Sequence, residues 1–218
     1  MTIKGIVFDF DGLILDTEMP DYKAWQELFQ SYGIDFPLEL YTKAVGRTYD
    51  DATPLEYLES MLNAPLNKPA IFKEFKKRKI ALTDQEPLRA GVLDYLRKAD
   101  EKGLAIGLAS SSKREWILPY LEKHGIVDYF DSISTLDDVT HPKPDPQLYL
   151  RTIQQMKVTA EEAIAFEDSL FGVAAAKNTG LFTVAVPNDV TRAINFSMAD
   201  MRLESLSDIQ LEELIEGL

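Results

Sequence analysis

The sequence predicts an α/β fold, a doubly wound parallel sheet with helices on both faces and an inserted helical domain. Short β-rich apolar runs alternate with stretches of helical apolar spacing, the pattern of a parallel sheet whose crossovers are helices. The polar clusters fall at the ends of these runs, and in such sheets ligands bind beyond the carboxyl ends of the strands. Between residues 17 and 86, by contrast, the spacing is helical and no strand pattern interrupts it.

Taken in order, residues 3–10 (IKGIVFDF) read as a buried central strand ending in acidic residues. Helical spacing follows over 21–32, 38–45, 54–62 and 70–82. Pro20 and Pro87 are expected to direct the chain at the two joints of this insertion. The α/β core is therefore expected from residues 1–16 and 87–218, and the helical domain from 17–86. Further strands are expected over 104–109 (LAIGLA), 163–166 (AIAF) and 181–186 (LFTVAV), with a shorter one over 132–134. Between them, a helix over 113–124 is closed by Gly125. Another over 146–157 starts after Asp145, a suitable N-cap, and a third over 170–178 is closed by Gly180. Acidic residues 211–218 form a last amphipathic helix with a solvated charged face.

Composition narrows the function. The chain has 218 residues, 45% of them hydrophobic, enough to bury one large domain or a domain with an insertion. It contains no cysteine, which excludes disulfides, thiolate catalysis and a cysteine-based zinc site. That suits a reducing cytosol, so a cytoplasmic location is expected. The N-terminal residues predict no secretory signal, and no window approaches the roughly 20 apolar residues that span a bilayer. A formal net charge of −13 repels nucleic acid and anionic lipid, so neither nucleic acid nor membrane is an expected partner. The same charge repels phosphorylated metabolites, and a phosphate site here needs its own cation or metal.

Asp9 and Asp11 lie two apart at a strand end, where a continuing strand would turn both to one face. Paired carboxylates can bind a hard cation, or divide the roles of nucleophile and general acid/base. A solvated strand end is the plainer alternative. Glu167 and Asp168, after another strand, would add oxygen ligands, although Asp168 or Ser169 could simply cap the next helix. Ser110 opens a helix after 104–109, where its hydroxyl and nearby N–H groups could hold a phosphate. Ser110, Ser111 and Ser112 could equally be a capping cluster. Lys143, in the proline-flanked run HPKPDP, is a fixed cation, though a lone loop lysine is usually solvated. His124 and His141 show no metal or triad pattern, and Trp25 and Trp116 read as packing residues.

The stretch from Asp9 to Thr17 (DFDGLILDT) resembles the first motif of the haloacid dehalogenase superfamily. Ser110, Lys143 and Glu167-Asp168 match the second, third and fourth motifs in order, each at a strand end or in the loop after it. The helical insertion after the first motif resembles the small α-helical cap of the β-phosphoglucomutase-like branch. The resemblance implies a Rossmann-like core and an Mg²⁺-dependent phosphatase that forms an aspartyl-phosphate. It implies that Asp9 attacks phosphorus and ligates Mg²⁺. Asp11 would protonate the leaving oxygen, then deprotonate water, its backbone carbonyl also ligating the metal. Ser110, with Ser111, would bind the phosphoryl oxygens, Lys143 would offset charge, and Glu167 with Asp168 would hold Mg²⁺. Such chemistry depends on in-line positioning and charge neutralisation.

Mutases of that branch carry a histidine where this chain has Asp21, and a cap arginine near Tyr49, with Arg47 two residues earlier. The expected function is therefore hydrolysis of small phosphomonoesters, sugar phosphates or nucleotides, by a monomer, with Arg47 as a substrate contact. A hexose phosphomutase and a catalytically idle binding protein on the same fold are the alternatives.

Overall fold

Gly5–Phe8 (β1) is buried along its whole length and lies inside a parallel sheet. The structure is a computed structural model that describes residues 2–42 and 52–218. Ala105–Ala109 (β2) flanks β1 on one side and Ala163–Glu167 (β4) on the other, with Phe8 level with both Leu108 and Phe166. Ser132–Ser134 (β3), Phe182–Ala185 (β5) and Met201–Arg202 (β6) extend the sheet to the order β3-β2-β1-β4-β5-β6, every pairing parallel. A strand covered on both faces has no polar side, which is why β1 reads as an unbroken apolar run. Its period of two survives in the packing: Ile6 and Phe8 enter one core cluster and Val7 the other. The strand is shorter than the run predicted from sequence, stopping before Asp9.

Four helices follow: Glu18–Gln30 (α1), Leu38–Thr42 (α2), Ala52–Leu62 (α3) and Lys68–Thr83 (α4). They pack around an apolar cluster of their own that includes Trp25, Phe29, Phe36, Leu58 and Phe75, joined by Val190 from the far end of the chain. Trp25 is fully buried and stacks on Phe75 at 3.9 Å, so it packs as expected. Pro20 does not form a joint: α1 already starts at Glu18, and proline is tolerated in a first turn that needs no N–H partner. The last part of the predicted 38–45 helix, with Arg47 and Tyr49, lies outside the described residues.

Val92–Glu101 (α5), Arg114–Lys123 (α6) and Leu211–Glu216 (α9) cover one face of the sheet, and Gln147–Met156 (α7) and Leu170–Thr179 (α8) the other. The sheet is thus doubly wound, as the sequence predicts. Helix α5 was not anticipated, although Val92, Tyr95, Leu96 and Ala99 recur at helical spacing and are all buried. Strand β6 has two residues, too few to show a period. Among the described residues no helix is long and apolar enough to cross a membrane.

One titratable group ties α1 to α2. Glu18 Oε2 accepts a 2.6 Å hydrogen bond from the Tyr41 hydroxyl. Burial, reinforced by the nearby Asp21 charge, pushes Glu18 from its ordinary 4.5 up to about 7. A raised carboxyl holds its proton more tightly folded than unfolded. Its contribution is complete below pH 4.5 and is lost as pH rises through about 7. Glu18→Gln should therefore gain thermal stability relative to the parent between pH 5 and pH 8. A difference in Tm that stays constant across those values would refute the assignment.

Candidate active site

The register of β2, β1 and β4 brings the predicted residues together. Asp9 follows β1, Ser110 follows β2, and Glu167 ends β4 with Asp168 next to it. These are neighbouring strands, so their carboxyl ends open onto one site. Asp9, Glu167 and Asp168 each offer a carboxylate oxygen, and these oxygens lie within 4.8 Å of one another, all three residues buried. Lys143 reaches in from the loop before α7. Its Nζ donates to Asp9 Oδ1 at 2.6 Å and to Glu167 Oε1 at 2.5 Å, and only 3% of the residue is exposed. The solvated-lysine alternative is excluded.

The charges do not balance. Burial pushes the Asp9 carboxyl up to about 8, with Glu167 and Asp11 adding to the rise and Lys143 opposing it. Burial, with the Asp9 charge beside it, also raises Asp168 well above the ordinary carboxylate range. Burial alone would lower Lys143, yet Asp9 and Glu167 hold it above its ordinary value, so the ammonium stays protonated. Several buried carboxylates thus share one ammonium. Buried charges require pairing or a metal, and a hard, all-oxygen donor set suits a divalent cation such as Mg²⁺.

Residues the sequence did not mark hold this cluster in place. Gly12 takes φ +76°, and a Cβ there would fall 2.1 Å from Asp168 Oδ2 and 2.6 Å from Asn188 Nδ2. Only glycine suits both that backbone and that approach. Asn188 Nδ2 donates to Asp168 Oδ2 at 2.7 Å. Arg89 donates to the carbonyls of Gly12, Val186 and Pro187, clamping the turn after β1 against the loop after β5. The Ser169 hydroxyl accepts from Gly172 N and caps α8, so the capping role falls to Ser169 and Asp168 faces the cluster. Tyr149 Oη donates to Glu167 Oε1 at 2.5 Å.

Asp11 behaves differently from Asp9. The shared strand face expected for the pair is absent because β1 ends at Phe8 and the chain turns at Gly12. Asp11 Oδ1 accepts from Thr17 Oγ1 at 3.0 Å and Trp116 Nε1 at 2.9 Å. Its Oδ2 accepts from Ser112 Oγ at 2.6 Å and Ser110 Oγ at 3.3 Å. Its carboxylate is outside the acidic cluster, so any metal ligand from Asp11 is left to the backbone. Ser110 does not open a helix, since α6 begins at Arg114. The α6 N-terminus is capped instead by Asp137, whose Oδ2 accepts from Arg114 N at 2.8 Å. Ser111 Oγ accepts from Lys143 N at 3.2 Å, linking the second and third motifs. Beside these serines opens a cleft of about 450 Å³, lined among others by Asp21, Phe75, Lys79, Ser111, Ser112 and Trp116. Trp116, expected only to pack, borders this cleft and touches Asp11. Asp21 is buried and ion-paired with Lys79.

A parallel sheet that gathers acidic groups and a lysine at its carboxyl ends, next to a cleft under a helical insertion, is the architecture of a class of α/β hydrolases. The chain belongs to the haloacid dehalogenase-like hydrolases, whose family pattern it matches over residues 6–186. It is 42% identical to the putative phosphatase YhcW of Bacillus subtilis, covering 99% of this chain and 98% of that one. It is 27% identical to hexitol phosphatase B of Escherichia coli, covering 98% and 97%. Its fold matches the crystal structure of a putative β-phosphoglucomutase from Thermotoga maritima with TM-score 0.80 and 26% identity, covering 99% and 100% of the two chains. The protein is a hydrolase of phosphoric monoesters.

Gly172 supplies a test of the site's packing. A Cβ there would lie 1.9 Å from Glu167 Oε2 and 2.1 Å from Oε1. Gly172→Ala must move a buried carboxylate away from Lys143 and Tyr149, at a cost of about 2–4 kcal/mol. Urea denaturation should show the loss as a lower midpoint; an unchanged midpoint would show that Glu167 is free to relocate.

Proposed function

We propose that the enzyme hydrolyses small phosphorylated metabolites, sugar or polyol monophosphates, with Asp9 as nucleophile. The observation that carries this reading is the buried contact of Lys143 with both Asp9 and Glu167 beside a cleft under the helical insertion. Phosphoryl transfer needs an in-line oxygen nucleophile and neutralisation of the equatorial oxygens, and little else from the protein. Asp9 and Glu167 are both held by the lysine within the acidic cluster, and Asp9, which directly follows the central strand, is the one suited to attack phosphorus. Lys143 opposes the rise that burial causes in Asp9 and would offset the charge of the incoming phosphate. Ser110 and Ser111 offer hydroxyls for the phosphoryl oxygens.

Asp9, Glu167 and Asp168 would hold Mg²⁺, with the Asp11 carbonyl. When bound, the ion would supply positive charge that draws the phosphate into an acidic protein and stabilises the transferring oxygens. Asp11 has its carboxylate on the cleft side, suited to protonate the leaving oxygen and later to activate water. The leaving group would occupy the cleft lined by Asp21, Lys79 and Trp116. Hexitol phosphatase B is named for a polyol phosphate, which supports a substrate of that class here. Asp21 stands where mutases of the branch carry a histidine and is tied to Lys79, which argues for hydrolysis over mutase chemistry. The cysteine-free sequence fits the cytoplasm.

Incubation with Mg²⁺ and a panel of phosphomonoesters, including hexitol phosphates and β-glucose 1-phosphate, should release inorganic phosphate. Chelator should abolish turnover, and Asp9→Asn should lower it by about 10³-fold or more while the protein still unfolds cooperatively. Conversion of β-glucose 1-phosphate to glucose 6-phosphate with little free phosphate would overturn the phosphatase reading, and a fully active Asp9→Asn would overturn the mechanism.

A further inference from the structure

We infer that Trp116 is a positioning residue for Asp11: its indole N–H keeps Asp11 Oδ1 an acceptor, so that the transferable proton resides on Oδ2. This rests on the reading of Asp11 as the acid and base of the reaction. The four groups around that carboxylate are not chemically equivalent. Thr17, Ser110 and Ser112 present hydroxyls, which can donate or accept, whereas an indole N–H only donates. Trp116 Nε1 lies 2.9 Å from Oδ1. A proton placed there would face a donor that cannot reverse. A proton on Oδ2 faces Ser110 and Ser112, whose hydroxyls can turn to accept it. Hydroxyls alone would leave the two oxygens interchangeable.

The ring is held in turn. Tyr120, one turn further along α6, meets it edge to face with centroids 5.0 Å apart. Lys79 of α4 sets its Nζ 5.2 Å from the ring centroid while ion-paired with Asp21. The same indole thus borders the cleft, touches the helical insertion and directs its one polar atom at Asp11.

In the reaction, an Asp9 oxygen bonds to phosphorus as the P–O ester bond breaks, and the ester oxygen takes the Oδ2 proton and departs as the alcohol. Water then attacks the aspartyl-phosphate, returns a proton to Oδ2, releases phosphate and restores Asp9. Trp116 touches no reacting atom in either step. It sets the oxygen from which the proton leaves and to which it returns.

The test compares two substrates that differ in their need for a proton. An alkyl monophosphate such as a hexitol phosphate requires the leaving oxygen to be protonated, whereas p-nitrophenyl phosphate releases a stable phenolate. Trp116→Phe keeps a ring against Tyr120 and Lys79 but removes the donor. It should lower kcat/KM for the alkyl substrate by about 10-fold or more, and for p-nitrophenyl phosphate by less than about 3-fold. Trp116→His, which retains a ring N–H, should recover part of the alkyl rate and provides the comparison if Trp116→Phe fails to fold. Equal losses on both substrates, no loss, or a difference confined to KM would overturn the inference, since Trp116 also lines the cleft and a lost leaving-group contact alone would move KM without separating kcat. Asp11→Asn on the same pair distinguishes the two levels of failure. If it too does not separate the substrates, the acid–base reading of Asp11 falls. If it separates them and Trp116→Phe does not, only the role of Trp116 falls.

Discussion

The buried ammonium of Lys143 between Asp9 and Glu167 is the contact around which the site is organised. Carboxylates clustered at the ends of adjacent strands repel one another, and a low-dielectric setting strengthens that repulsion. Removing one partner from a buried ionic cluster leaves the others uncompensated and is strongly destabilising. One lysine cannot neutralise the whole group, and the residual negative charge is what makes the site fit a divalent cation. The site therefore uses charge the fold would otherwise avoid.

The cluster is possible because its surroundings leave room and give support. Gly12 and Gly172 remove the side chains that would collide with Asp168 and Glu167. Asn188 and Tyr149 donate to the same two carboxylates. Arg89 ties the turn after β1 to the loop after β5 through three carbonyls. Burial disfavours its charge, yet Asp168 and Asp16 nearby favour it, so the guanidinium can act as a structural clamp inside the protein.

The helical insertion meets the sheet domain at the second aspartate. Asp21 and Lys79 pair within the insertion, Lys79 lies over Trp116, and Trp116 donates to Asp11. One aromatic ring thus links the helical insertion to Asp11. An insertion with its own aromatic core can change its cleft-facing residues without disturbing the strand that leads to Asp9.

Much of this was legible in the sequence because periodicity and chain order report local structure. The central strands, the helical insertion, and the ordered set Asp9, Ser110, Lys143 and Glu167-Asp168 could all be read without coordinates, since apolar runs and the residues ending them are contiguous. Helix α5 was legible too, in Val92, Tyr95, Leu96 and Ala99, and was overlooked. The directions of Asp11 and Trp116, the clamp by Arg89 and the support from Asn188 could not be read. They join residues 20 to 105 positions apart, and no pattern along the chain encodes which side chains a turn at Gly12 or the packing of α6 will bring within hydrogen-bond distance. The sequence by itself determined the architecture and the chemical inventory, because both follow from local pattern. Only the tertiary structure decided which acid joins the cluster and which turns to the serines and Trp116, because that choice depends on contacts made after the strands are paired.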